Sequence, residues 1–151
     1  MDSRTLNFFA QAAGGALAGG RPDRPVRRVC TDSRSVQAGD LFVAIKGDSF
    51  DGHDFVPATV RQGVAGVVVR RDFSGAGIDP AIGVIRVEDP RQALGRMAAR
   101  YRRDYELPVI AVAGSNGKTS TKELLAAVLG RRFSVLASEA SFNNDIGVPL
   151  T

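Results

Sequence analysis

The sequence predicts an α/β protein in two unequal parts, a small amino-terminal α/β unit followed by the start of a second α/β unit built on a phosphate loop. Three observations support this. Apolar runs of strand length alternate with segments of helical periodicity, the pattern of strands and helices packed in layers. Glycine or proline stands at nearly every change of pattern. Finally, "VIAVAGSNGKTSTKELLAAVL", Val109 to Leu129, passes from an apolar run through a glycine turn into a helix-like segment.

In chain order, Thr5 to Ala13 reads as a helix stopped by Gly14 and Gly15, and Val26 to Thr31 as a strand leading into the loop "DSRSVQAGD". "LFVAI", Leu41 to Ile45, reads as a buried strand, followed by the polar "KGDSFDGHD". Phe55 to Gln62 is expected as a short helix ended by Gly63, Val67 to Arg70 as a strand and Val84 to Val87 as another. Asp89 followed by Pro90 is a helix start, a capping side chain and then a first-turn proline. Leu94, Met97, Ala98 and Tyr101 fall on one face of that helix, which should end before Pro108. The expected divisions are a first unit over 1–87, a connecting helix over 88–107 and a second unit over 108–151. In the second unit Val109 to Ala113 is expected as a strand, Gly130 as a helix terminator and Phe133 to Ala137 as a further strand.

Composition narrows the function classes. At 151 residues the chain has room for one ordinary core, or one small domain and part of another. Hydrophobic residues at 44% and charged residues at 24% are the balance of a soluble globular protein. No apolar run is long enough to span a membrane, and the start "MDSRTLNFFAQ" lacks the basic and apolar regions of a signal peptide. A cytoplasmic monomer without membrane insertion is expected. The single cysteine, Cys30, suits a buried strand position and offers no disulfide. The net charge of +4 does not point to nucleic acid, because 16 acidic residues are interspersed and no basic stretch carries base-stacking aromatics.

The phosphate-loop reading rests on local geometry. The general pattern G-x-x-x-x-G-K-[ST] requires a glycine where Val112 stands. Yet a strand, a turn with Gly114 and Gly117, and a helix starting beside Lys118 supply what an anion needs, namely backbone N–H groups and a positive helix end. Lys118 can reach outer phosphates as a point charge, and the Thr119 hydroxyl can ligate a bridging magnesium ion.

Three segments together resemble the Mur ligase family of peptidoglycan synthesis, and within it the MurF type. They are "TDSRSVQAGDLFVAIKGDSFDGHDFVPATVRQGVAGVVV", similar to the family's amino-terminal uridine-nucleotide-binding domain; "AGSNGKTSTKE", similar to its shortened ATP loop, where the first glycine is normally absent; and "SFNNDIGVPLT", similar to a segment of its central domain. The first segment alone does not separate MurE from MurF, whereas "TKE" and "NNDIGVP" favour MurF.

The resemblance implies an ATP- and magnesium-dependent ligase that joins D-alanyl-D-alanine to UDP-N-acetylmuramoyl-tripeptide through an acyl phosphate. It implies ATP contacts at Gly114, Ser115, Asn116, Gly117, Lys118, Thr119 and Ser120, with Lys118 and Thr119 catalytic and Thr119 on the metal. Ser33, Arg34, Lys46, His53, Asn143 and Asn144 become candidate substrate contacts. The residues leave two other readings open, a MurE-type amino-acid ligase and a non-catalytic nucleotide-binding module. Because family positions for the remaining metal and dipeptide sites find no counterpart in the sequence, the chain is expected to be the front part of a longer enzyme, inactive alone.

Overall fold

The structure, a computed structural model, describes residues 1–138 and 144–151. Thr5 begins the first helix, α1 (Leu6–Ala13), by accepting the Phe8 N–H on its side-chain oxygen, and Gly14 ends it at φ +66°. Two short strands flank α1 and pair antiparallel, β1 (Arg4–Thr5) with β3 (Pro25–Val26). The main sheet has the order β2-β7-β6-β5-β4. Its strands are β2 (Ala16–Ala18), β4 (Val29–Cys30), β5 (Leu41–Val43), β6 (Gly66–Arg70) and β7 (Gly83–Val87). β4 to β7 run parallel, and β2 closes the edge antiparallel to β7.

Alternation along the strands makes two cores, one on each face of the sheet. Leu41, Val43, Val68, Ile85 and Val87 face α1 and α3 (Pro90–Arg102), packing against Leu6, Phe9, Leu94 and Met97. Phe42, Val67, Val69 and Val84 face the other way, toward Val56 of α2 (Val56–Arg61) and Val64. A 3-10 turn, Gly52–Phe55, precedes α2. Asp89 starts α3 as expected, its carboxylate accepting from the N–H groups of Arg91 and Gln92 with Pro90 in the first turn. Expected as a connector, α3 buries Ala93, Leu94 and Met97 in the first core, and its Arg96 Nε donates to the Ala13 carbonyl at the end of α1.

Three expectations are corrected. The single strand over Val26 to Thr31 is two, because Val26 pairs with β1 while Val29 and Cys30 pair with β5. The chain changes partners at Arg27 and Arg28, where Arg27 N–H donates to Gly39 and Leu41 N–H donates to Arg28. Val109 to Ala113 and Phe133 to Ala137 form no strand, and Val109, Ile110 and Phe133 are exposed. A strand exists only when a neighbour accepts its N–H groups, and no described residue pairs with either segment. The helix α4 (Lys118–Leu129) forms as expected, but buries no side chain and leaves Leu124 and Val128 exposed. Gly130 ends α4 at φ −62°, so its use there does not depend on a left-handed conformation. The last element, α5 (Gly147–Leu150), returns to α3, and Ile146 and Leu150 pack against the first core. No helix among the described residues is long and apolar enough to cross a membrane.

Candidate functional site

In an open parallel sheet, ligands settle outside the carboxyl ends of the strands, where loops diverge. Here those ends carry the candidates Ser33 and Arg34 after β4 and Lys46 after β5, and beside them Arg70 at the end of β6 and Glu88 to Arg91 after β7. A cleft of about 330 Å³ opens there, lined by Lys46, His53, Arg70, Glu88, Asp89, Pro90 and Arg91. The structure therefore brings Lys46 and His53 together, whereas Ser33 and Arg34 stand on the neighbouring loop.

That loop is tied down by an ion pair between a buried carboxylate and an arginine that is 44% exposed. Asp40, only 2% exposed, accepts from Arg28 Nη2 at 2.6 Å and from the Gln37 N–H at 2.8 Å. The same Arg28 Nη2 donates to the Ser35 carbonyl at 2.7 Å, so one guanidinium joins both ends of the loop. Cys30 is buried as expected and its thiol donates to the Asp32 carbonyl at 3.2 Å. Arg34 turns back on Asp32 through Nε and Nη2 at 2.9 and 2.8 Å. This contact, with the Arg34 N–H beside it, draws the Asp32 carboxyl down to about 2.

The segment "FDGHD" is a structural knot. Asp51 accepts the His53 N–H at 3.0 Å and its ring Nδ1–H at 2.6 Å. Gly52 approaches the Ile45 backbone so closely that a Cβ would lie 2.7 Å from the Ile45 nitrogen. The His53 Nε2 accepts the Arg70 N–H at 3.0 Å, which assigns the ring proton to Nδ1. Both ring nitrogens of the buried His53 are thus engaged within the unit. As a substrate contact, it can offer only a ring edge; its hydrogen bonds join the loop after β5 to the end of β6. Hydrogen bonding by the His53 backbone, and then by its ring, holds the Asp51 carboxyl below its ordinary range.

The lining residues Arg70 and Arg91 escaped the sequence reading. The available signal was their position, Arg70 at the end of the apolar run before it and Arg91 in the first turn after the Asp89–Pro90 helix start. Arg70 Nε is buried without a hydrogen-bond partner and lies 3.3 Å from Asp72 Oδ1, outside hydrogen-bond alignment. Asn144 Oδ1 accepts the Ile146 and Gly147 N–H groups at 3.2 and 2.7 Å, which is a capping role. Asn143 lies outside the described residues.

At the second candidate site Gly114 has φ +149° and Gly117 φ +75°, backbone that a side chain would strain. Gly117 is the residue before α4, and a Cβ there would meet nothing within 4 Å, so the space above the loop is open. Lys118 Nζ lies folded over this loop, donating to the Gly114 and Ser115 carbonyls at 2.6 and 3.2 Å. Ser115, Asn116, Thr119 and Ser120 are exposed around it. The donor set fits the phosphates of a nucleotide: amides at a helix start, an ammonium within reach and a free-facing hydroxyl for a hard cation.

Known proteins match both halves. Residues 25–102 fit the Mur ligase family, catalytic domain, and residues 112–151 the Mur ligase middle domain. A UDP-N-acetylmuramoyl-tripeptide--D-alanyl-D-alanine ligase of Synechocystis is 44% identical over 129 residues, which is 85% of this chain and 28% of the relative. The crystal structure of MurF from Acinetobacter baumannii superposes with a TM-score of 0.88 at 36% identity, covering 99% of this chain and 32% of that one. MurF ligase from Thermotoga maritima, solved in complex with ADP, superposes at 0.73 with 34% identity over 83% of this chain and 28% of its own. The chain thus spans about a third of the length of the proteins it resembles. With family matches over both its sheet-bearing first unit and the segment carrying its glycine loop and α4, the chain belongs to the Mur ligase family.

Proposed function

We propose that this chain supplies the substrate-binding unit and the nucleotide loop of a MurF-type ligase, joining D-alanyl-D-alanine to UDP-N-acetylmuramoyl-tripeptide with ATP. The observation that carries the reading is the pairing in one chain of the open Gly114–Thr119 loop at the start of α4 with a basic cleft at the carboxyl edge of a parallel sheet. Similar MurF proteins, one of them solved with ADP, support it.

In this reading the amides of Gly114 to Thr119 and the Lys118 ammonium hold the ATP phosphates, and Thr119 with Ser120 reaches the same group. Lys118 gives up the loop carbonyls to do so, exchanging neutral partners for charged ones. A carboxylate is a poor acyl donor, and phosphoryl transfer makes it attackable by an amine. Magnesium, when bound at Thr119, offsets phosphate charge during that transfer. Ser33, Arg34 and Lys46 approach the uridine-nucleotide part of the substrate, and His53 positions the cleft wall. Asn144 holds the start of α5, and Asn143 is retained as a candidate near the substrate. The reaction takes place in the cytoplasm, and the protein acts as a monomer.

The test is phosphate release by the full-length gene product with ATP, offered either the UDP-tripeptide with D-alanyl-D-alanine or the UDP-dipeptide with a single diamino acid. Release that depends on the dipeptide is expected. Release with the UDP-dipeptide and the diamino acid alone would establish the MurE-type alternative, and binding without release in either case would leave a nucleotide-binding module. For the 151-residue chain, calorimetric titration should show tighter binding of the UDP-tripeptide than of Mg-ATP, and no dipeptide-dependent release.

A further inference from the structure

A two-point ion pair joins the two halves of the chain. Arg91, in the first turn of α3, donates from Nε and Nη2 to the two carboxylate oxygens of Asp145 at 2.5 and 2.7 Å, across 54 residues of sequence. Such a two-point pair fixes direction as well as distance. Asp145 lies beside Asn144, which caps α5, and α5 sits on α3 with Ile146 and Leu150 against the first core. Arg91 is at the same time a wall of the cleft that holds Lys46 and Arg70. Its remaining nitrogen, Nη1, has no hydrogen-bond partner among the described residues, so it can meet an anion in the cleft without releasing Asp145.

We propose that Arg91 is a positioning residue that couples the two halves: a phosphate-bearing anion held by Lys46, Arg70 and Arg91 in the cleft locks the Arg91–Asp145 pair and thereby seats the Asn144–Leu150 segment on α3. The idea deepens the proposed function by giving one wall of the substrate cleft a second task. An anion facing three cations removes their mutual repulsion and leaves Arg91 in one orientation, the one that Asp145 requires. Glu88 and Asp89, which line the same cleft, and Asp48, which acts on Arg91 through space, are the opposing charges. Asp48 and Asp89 attract the same guanidinium through space and so compete with Asp145 for it until an anion is bound. Since the pair is half exposed, the coupling is modest.

Amide hydrogen exchange on the 151-residue chain, with inorganic pyrophosphate as probe, tests this without assuming the ligase reaction. Pyrophosphate should slow exchange of the Gly147 and Val148 amides roughly two- to fivefold, the range of a half-exposed ion pair. Asp145→Asn should speed their exchange without pyrophosphate and abolish the response, while pyrophosphate still binds calorimetrically. Arg91→Lys, which keeps the charge but not the fork, should bind pyrophosphate yet show no response. The exchange of both charges, Arg91→Asp with Asp145→Arg, should restore basal protection but not the response. An unchanged response in Asp145→Asn overturns the coupling, as does a full response in Arg91→Lys. Failure of wild-type chain to bind pyrophosphate overturns the anion cleft, whereas failure of the ligase assay with the exchange response intact would overturn only the proposed reaction.

Discussion

Replacing His53 by alanine separates a substrate contact from a structural tie, and the structure sets the size of the effect. The Arg70 N–H loses its acceptor, now 3.0 Å away, and a buried N–H left unpaired costs about 1–3 kcal/mol. The ring is 7% exposed and lies 5.4 Å from the Phe73 ring, so removing it forfeits about 1 kcal/mol of burial. Asp51 is 24% exposed and can rehydrate, and its bond to the residue-53 N–H survives the change, so it adds little. The sum is about 2–4 kcal/mol, a large part of an ordinary domain's stability. Urea unfolding of the 151-residue chain followed by far-ultraviolet circular dichroism should show this as a lower midpoint at unchanged slope. His53→Gln, which keeps an acceptor and a donor, should recover part of the loss. A stability change below about 0.5 kcal/mol with a clear fall in UDP-peptide affinity would refute the structural role and return His53 to the ligand contacts.

Three further outcomes are expected. Lys118→Ala should leave thermal unfolding unchanged, since α4 buries nothing, yet weaken ADP binding by about tenfold or more and lower turnover of the full-length protein by orders of magnitude; equal nucleotide affinity would remove the assignment. The Asp32 carboxyl should titrate near 2 by carboxyl NMR, below its ordinary value of about 3.9, and so contribute stability above about pH 4 that is lost as pH falls toward 2; Arg34→Ala, which removes the guanidinium but keeps the backbone N–H, should raise it part of the way toward the ordinary range, and no change on that substitution would exclude the Arg34 side chain as the cause. Gly83→Ala would put a Cβ 2.1 Å from Leu6 Cδ2 and should cost about 1–3 kcal/mol in urea unfolding, but less when combined with Leu6→Ala than the two single changes sum to; strict additivity would show that the clash relaxes elsewhere.

What could be read from sequence was local. The Gly14 stop of α1, the Asp89–Pro90 start of α3, the apolar runs of β5, β6 and β7 and the glycine loop before α4 each depend on residues within a turn or two of one another. The glycine turn before α4 was legible despite Val112 because it rests on short-range backbone geometry.

Tertiary structure decided everything that depends on a distant partner. Val26 and Val29 belong to different sheets, although the intervening sequence reads as continuous strand. Val109 to Ala113 has the composition of a buried strand and stays exposed, because strand formation needs a neighbour's hydrogen bonds as well as apolar side chains. His53 looked like a lone polar candidate until the fold placed the Arg70 N–H against its second nitrogen. Arg28 had no partner visible in the sequence until Asp40 faced it, and Arg91 had no visible role until Asp145 closed on it from 54 residues away. Local periodicity encodes which segments can become helix or strand, but a polar side chain's task is set by the partner that satisfies it, and in a parallel sheet that partner comes from another turn of the chain.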